Sequence, residues 1–169
     1  MAVLGSKFLR EFAKRNVGPA SVDLTLADKV LIPVQKDQIT LGDKVEYEEI
    51  RFTKDHPFVL KPGEFVLAAT NEYVTFPSSV CGFVQGRSSI GRIGLTVQNA
   101  GFIDPGFEGT ITLELVNESR MAIALIPGYR VVQIVLMEVR GNMEKYDGKY
   151  NGQMDPTGSR MYKDEEAVK

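Results

Sequence analysis

The sequence is poor in the residues that build metal cages and covalent cross-links: one His (His56) and one Cys (Cys81) in 169 residues. A single cysteine excludes an internal disulfide, and a zinc centre with several His and Cys ligands cannot be assembled. No run approaches the roughly 18 apolar residues needed to span a bilayer. The formal net charge of −2 provides no global field to gather nucleic acid, so an anionic ligand has to be met by a local cluster of Arg and Lys. These absences predict a cytoplasmic protein with neither membrane nor nucleic-acid partner. Any hydrolytic chemistry falls to carboxylates, hydroxyls and arginines.

What is present is the composition of a globular chain. Hydrophobic residues make up 43% and charged residues 25%, a balance that argues against disorder throughout. The length suits one domain. Leu4, Phe8, Leu9 and Phe12 fall on one helical face and Lys7, Arg10 and Lys14 on another. Glu11 interrupts the basic face and no cleavage-like segment follows, so a helix docked on the body is expected rather than a transit peptide. The period then changes to two. Val22, Leu24 and Leu26 alternate with Ser21, Asp23 and Thr25, and comparable runs recur at 45–52, 64–69, 80–84, 110–116, 122–126 and 130–139. Turns such as Lys61-Pro62-Gly63 and Ile126-Pro127-Gly128 separate them, which predicts a mainly β sandwich or barrel. From residue 141 the alternation dissolves into a polar tail with too few apolar positions for another core layer.

Residues 86–117 concentrate the chemistry. Ile111, Leu113 and Leu115 mark one face of a strand, and Thr110, Thr112 and Glu114 the other. Glu114 is either an ordinary wet-face residue or a candidate base, because Arg87, Arg92 and an acidic turn at Asp104-Pro105-Gly106 lie close in sequence. The stretch GRSSIGR, 86–92, offers Ser88, Ser89 and two guanidiniums that grip phosphate oxygens by a fork. It reads equally as a tight turn, and it lacks the spacing and Lys of a Walker loop. Asp104 fits a turn residue bonding its own backbone, Asp23 the wet face of a strand, and His56, before Pro57, a structural loop residue. Tail residues Tyr146, Lys149, Tyr150, Gln153, Ser159 and Arg160 suit phosphate as well as they suit a solubilising tail.

Taken together, PASVDLTL (19–26), GRSSIGR (86–92), QNAGFIDPGFEGTITLELVN (98–117) and GKYNGQ (148–153), followed by Ser159 and Arg160, resemble the dCTP deaminases of the dUTPase-like fold. The motifs keep the family's order and span most of the chain, whereas 29–57 match little. The resemblance implies a dUTPase-like distorted β-barrel or jelly roll over 1–140, with an N-terminal helix and a tail, 141–169, that closes over the nucleotide. It implies deamination of dCTP with no metal at the base, since the zinc deaminases' H-x-E…P-C-x-x-C ligands are absent. Glu114 matches the general base that activates water for attack on C4 of cytosine, where dUTPases proper typically carry an apolar residue. Ser88 and Arg92 match residues that hold the water and the exocyclic-group region.

Asp104 matches the acidic-turn Asp that touches the deoxyribose 3′-hydroxyl and, in dUTP-cleaving members, orients a water toward the α-phosphate. AGFIDPGF, with Gly101 before Phe102, looks most like the bifunctional members, so dUMP and pyrophosphate are expected. Deaminase-only, dUTP-diphosphatase-only and non-catalytic nucleotide-binding forms stay open. The implied substrate-binding set is Arg87, Ser88, Ser89, Phe102, Tyr146, Lys149 and Gln153. Gln98, Asn99 or Ala100 supplies backbone contacts to the base; the stretch from Arg92 to Asp104 is one residue shorter than in many deaminases, which leaves the choice among the three open. Mg²⁺ is expected to ride on the triphosphate of dCTP or dUTP, keeping its waters. A homotrimer with sites at subunit boundaries is also implied, in which Arg87 and Ser88 serve a neighbour's Glu114.

Overall fold

The computed structural model describes residues 2–98, 101–142 and 144–167. A short helix, α1 (Ser6–Phe12), precedes β1 (Val22–Thr25), β2 (Lys29–Pro33), β3 (Tyr47–Arg51), β4 (Phe58–Leu60), β5 (Phe65–Thr75) and β6 (Val80–Gly86). A one-turn helix, α2 (Ser88–Gly91), leads to β7 (Leu95–Val97), β8 (Phe102–Ile103), β9 (Glu108–Asn117), β10 (Ile123–Leu125) and β11 (Arg130–Glu138). Two 3-10 turns, Met161–Lys163 and Glu165–Ala167, follow.

The strands pair antiparallel into a four-stranded sheet, β1-β11-β6-β8, a five-stranded sheet, β3-β2-β5-β9-β7, and a two-stranded ribbon, β10-β4. One apolar cluster joins the two large sheets: Leu24, Val132, Ile134 and Leu136 from one meet Val66, Ala68, Leu113 and Leu115 from the other. The alternation read in β1 is what this core requires, with Val22 and Leu24 each 1% exposed and Asp23 and Thr25 on the other face. The expected mainly β architecture takes its jelly-roll form. The sheets face each other without closing into a barrel, and each ends on a short strand, β7 in one and β8 in the other.

α1 is shorter than the sequence pattern suggests. Seven residues are too few for a helix to stand alone in water, and packing holds it. Leu9 is fully buried, and Phe12 meets Phe76 edge-on with ring centroids 5.3 Å apart. Leu4, read as part of the helix face, instead donates its backbone N–H to Leu136 O at 2.9 Å. The strands β2, β4, β7 and β8 carry no usable alternation. Three have at most three residues, and in β2 the adjacent Lys29 and Val30 are both buried. β5 runs six residues beyond the predicted stretch, through a register shift between Ala69 and Tyr73 that disrupts the period.

Leu115 has no exposed surface and packs in the shared core one residue from Glu114. Leu115→Ala should lower the unfolding free energy by about 2–5 kcal/mol, measured by urea denaturation. A loss of about 0.5 kcal/mol or less, within the usual range of surface substitutions, would mean that the two sheets do not depend on this contact.

Candidate active site

β9 builds the site because its two faces meet different surroundings. Ile111, Leu113 and Leu115 enter the core, so a period of two turns Thr110, Thr112 and Glu114 the other way. Residues of the tail lie along that second face. Thr110 N–H donates to Gln153 O at 3.0 Å and Gln153 Nε2 donates to Thr110 O at 2.9 Å. Thr157 N–H donates to Thr112 Oγ1 at 3.1 Å. Beyond them Ser159 N–H donates to the Tyr47 hydroxyl at 3.1 Å.

A cavity of 480 Å³ lies where the sheets part, beside β7, β8 and β9. Its lining includes Glu114, Asp104, Gln98, Phe102, Tyr146 and Gln153 from the expected set, with Tyr47, Thr112, Thr157 and Ser159 around them. Glu114 is half-buried, and no salt bridge to it is found among the described residues. Burial raises its pKa above the ordinary carboxylate value, opposed in part by a backbone hydrogen bond. Of the two readings left open by alternation, a solvated outer-face residue and a candidate base, this environment favours the second.

The acidic turn presents its carboxylate to the same space. Phe107 N–H donates to Asp104 O at 3.3 Å, and Gly106 sits at φ +81°, a conformation costly for any residue with a Cβ. The turn closes through the backbone, which leaves the Asp104 side chain exposed at the cavity rather than committed to an Asx bond. Gly101 approaches β6 so closely that an added Cβ would lie 2.4 Å from Val84 O, so a larger residue would push this wall aside. Tyr146 docks on the turn, with its N–H on Pro105 O at 2.7 Å and its ring 5.9 Å from Phe107.

Arg87, Ser88, Ser89, Arg92 and Lys149 do not line this cavity. Ser88 and Ser89 are exposed at the start of α2, and Arg92 is exposed just after it. Arg87 is turned toward β1: its Nε lies 3.0 Å from Asp23 Oδ2, and Nη1 donates to Arg130 O at 3.3 Å. Asp23 also pairs with Arg130 at 3.1 Å and is largely covered, so it anchors the arginine corner instead of facing water. Lys149 pairs with Asp164, and its carbonyl accepts from Arg160. Gln153 is buried with Nε2 engaged on Thr110 and Oε1 without a partner among the described residues. In this conformation it offers an acceptor, and contact with a phosphate oxygen requires the amide to turn. Asn99 and Ala100 lie outside the described residues. Tyr47 and Thr157 were missed by sequence reasoning: the first lies in the stretch that matches no motif, the second in a tail without periodicity.

Fold and cavity together define a jelly-roll protein with a cavity of small-molecule size at the open edge of its sheets. A family model described as dCTP deaminase-like matches residues 2–139. "dCTP deaminase, dUMP-forming" of Sulfurihydrogenibium sp. (strain YO3AOP1) is 43% identical over 154 residues, covering 88% of this chain and 84% of that protein. The protein of the same name from Methanobrevibacter smithii is 37% identical over 194 residues and covers both chains completely. The crystal structure of 2′-deoxycytidine 5′-triphosphate deaminase from Agrobacterium tumefaciens superimposes with a TM-score of 0.64 at 20% identity. That match covers 79% of this chain and 47% of that one, a likeness of fold. The chain belongs to the dCTP deaminase-like family.

A carboxyl whose folded pKa is raised favours the folded state below its unfolded pKa, and that contribution is lost as pH rises through the folded pKa. Above that range the desolvation that raises the Glu114 pKa works against folding. Glu114→Gln should melt at a higher temperature than the parent at pH 7, with the difference closing as pH falls toward about 4. Thermal midpoints of both proteins across that range test this, and a less stable variant at pH 7 would contradict it.

Proposed function

We propose that the protein converts dCTP to dUTP and ammonia by hydrolysis and carries the product on to dUMP and pyrophosphate, as a cytoplasmic enzyme of pyrimidine deoxyribonucleotide supply. The observation that carries this reading is Glu114, a half-buried carboxyl with raised pKa and no salt-bridge partner among the described residues, in a 480 Å³ cavity shared with Asp104. A base whose pKa lies nearer the working pH transfers a proton more effectively. Glu114 takes a proton from water as its oxygen attacks C4 of cytosine. The proton passes to the exocyclic nitrogen, the C4–N bond breaks and ammonia leaves. For the second reaction Asp104 orients a water toward the α-phosphate, breaking the bond to pyrophosphate. The relatives' names support both steps, since they are called dUMP-forming.

Phe102, Gln98 and the adjoining Asn99 and Ala100 form the base and sugar side of this reading, and Tyr146, Lys149 and Gln153 the triphosphate side. Among the described residues no group of three or more His, Cys, Asp or Glu side chains comes together as metal ligands. In this reading Mg²⁺ arrives on the substrate triphosphate and keeps its waters. We further propose a homotrimer in which Arg87, Ser88, Ser89 and Arg92 complete a neighbour's cavity. Their exposure away from their own chain's cavity supports this, as does the Asp23 pair that fixes Arg87. Residues 141–169 form a lid over the 1–140 body, excluding water from competing chemistry.

Incubation with dCTP and Mg²⁺, then with dUTP, following ammonia, dUMP and pyrophosphate separately, tests the reading. Glu114→Gln should lower ammonia release about 10²- to 10⁴-fold and retain dUTP cleavage; retained ammonia release overturns the assignment. The parent's rate should fall as pH drops through the raised Glu114 pKa. A chain ending before Lys149 should keep its oligomeric state in sedimentation and lose turnover, and full activity in that truncation refutes the lid.

A further inference from the structure

Lys29, the first residue of β2, carries a charge where charges are rare: it is 7% exposed. Its Nζ donates to Asp155 Oδ2 at 2.9 Å and lies 3.1 Å from Glu49 Oε1. An ammonium so deeply placed persists only when paired. Here the pairing is divided between Glu49 on the adjacent strand and Asp155 in the tail. The two carboxylate side chains are 51% and 49% exposed, so either is solvated without Lys29, whereas Lys29 depends on them. Hydrogen bonding to Asp155, then to Glu49, holds the lysine pKa above its ordinary value, and the charge is permanent at working pH.

Asp155 is one of two non-glycine residues with positive φ among the described residues, at +61°. It forms the point of a turn whose two arms are bonded to β9. Before it, Gln153 O accepts from Thr110 N–H; at it, Asp155 O accepts from Thr110 Oγ1 at 3.3 Å; after it, Thr157 N–H reaches Thr112 Oγ1. These contacts run along the face of β9 that leads to Glu114, and Gln153, Thr157 and Ser159 all line the cavity. Pro156, next to Asp155, is the one buried apolar residue of the turn, and a left-handed non-glycine residue keeps that conformation where its surroundings over-determine it. The Lys29 ammonium is the charged group that reaches it from the body.

We propose that Lys29 is a positioning residue of this site: acting through Asp155, it holds the turn that lays Gln153 and Thr157 against β9. It touches no reacting atom. The inference rests on the nucleotide reading of the cavity. When the turn is released, a smaller fraction of molecules presents a complete site, so apparent affinity falls while the chemical step in the assembled site is unchanged.

The test uses the full chain as Lys29→Met, Lys29→Arg and Glu49→Gln, with dCTP and Mg²⁺ as the probe. Lys29→Met should raise KM about tenfold, the weight of one charge-assisted hydrogen bond, with kcat within about twofold. Lys29→Arg should recover most of the loss, and Glu49→Gln, which keeps the Asp155 bond, should stay near the parent. Amide hydrogen exchange should accelerate at Thr110 and Thr157 in Lys29→Met and stay unchanged at Leu113 and Leu115. Unchanged exchange at Thr110 and Thr157, equal acceleration at Leu113 and Leu115, or a fall in kcat at constant KM overturns the proposal. If the parent releases no ammonia from dCTP, the functional reading fails, and the exchange comparison still decides whether Lys29 holds the turn.

Discussion

A carboxyl held half out of water, with no compensating cation among the described residues, is the constraint around which the rest of this molecule is arranged. Glu114 does not choose its own environment. Leu113 and Leu115 on either side are committed to the core, 1% and 0% exposed, and a one-residue slip of β9 would drive the charge into that core. Pairing with β5, in register Leu67 to Glu114, and with β7 through Gln98 N–H on Glu114 O at 2.9 Å fixes the backbone from both sides. The raised pKa follows from this placement, a perturbation of the kind that clusters at functional sites.

The second organising feature is the open edge. In a closed barrel the last strands would pair and leave no gap. Here β7 ends after three residues on one sheet and β8 adds two to the other, so side chains from both sheets converge on one cavity without filling it. The acidic turn sits at this gap, and Gly101 permits backbone contact too close for a side chain. The arginine corner belongs to a different part of the surface, where Asp23 holds Arg87 and Arg130 together. The proposed sharing of sites between copies would bring such a corner against another copy's cavity.

The tail contributes order without a core. Its bonds to β9 run through backbone amides, the Thr hydroxyls and the Gln153 amide, and its aromatic contacts include Tyr146 on Phe107 and Tyr47 against Gly158. Hydrogen bonds of this kind contribute about 1 kcal/mol each, enough together to seat a segment and little enough to let it move. A layer with this energetics suits a cover that must yield to a ligand.

Sequence alone determined the strand faces, because burial of a two-residue period is a local property: Val22 and Leu24 inward, Ile111, Leu113 and Leu115 inward, Glu114 opposite. It also determined the family, through motifs long enough to be specific. It left β2, β4, β7 and β8 invisible, since strands of two to five residues in mixed surroundings carry no period. Only the tertiary structure decided that Glu114 is half-buried rather than wet, that Asp23 is an anchor, that Arg87 turns from its own cavity, that Tyr47 and Thr157 line that cavity, and that Lys29 is buried against Asp155. Each of those depends on what a distant segment brings against it. Desolvation, ion pairing and cavity shape are sums over neighbours far apart in the chain, and no local pattern of residues encodes them.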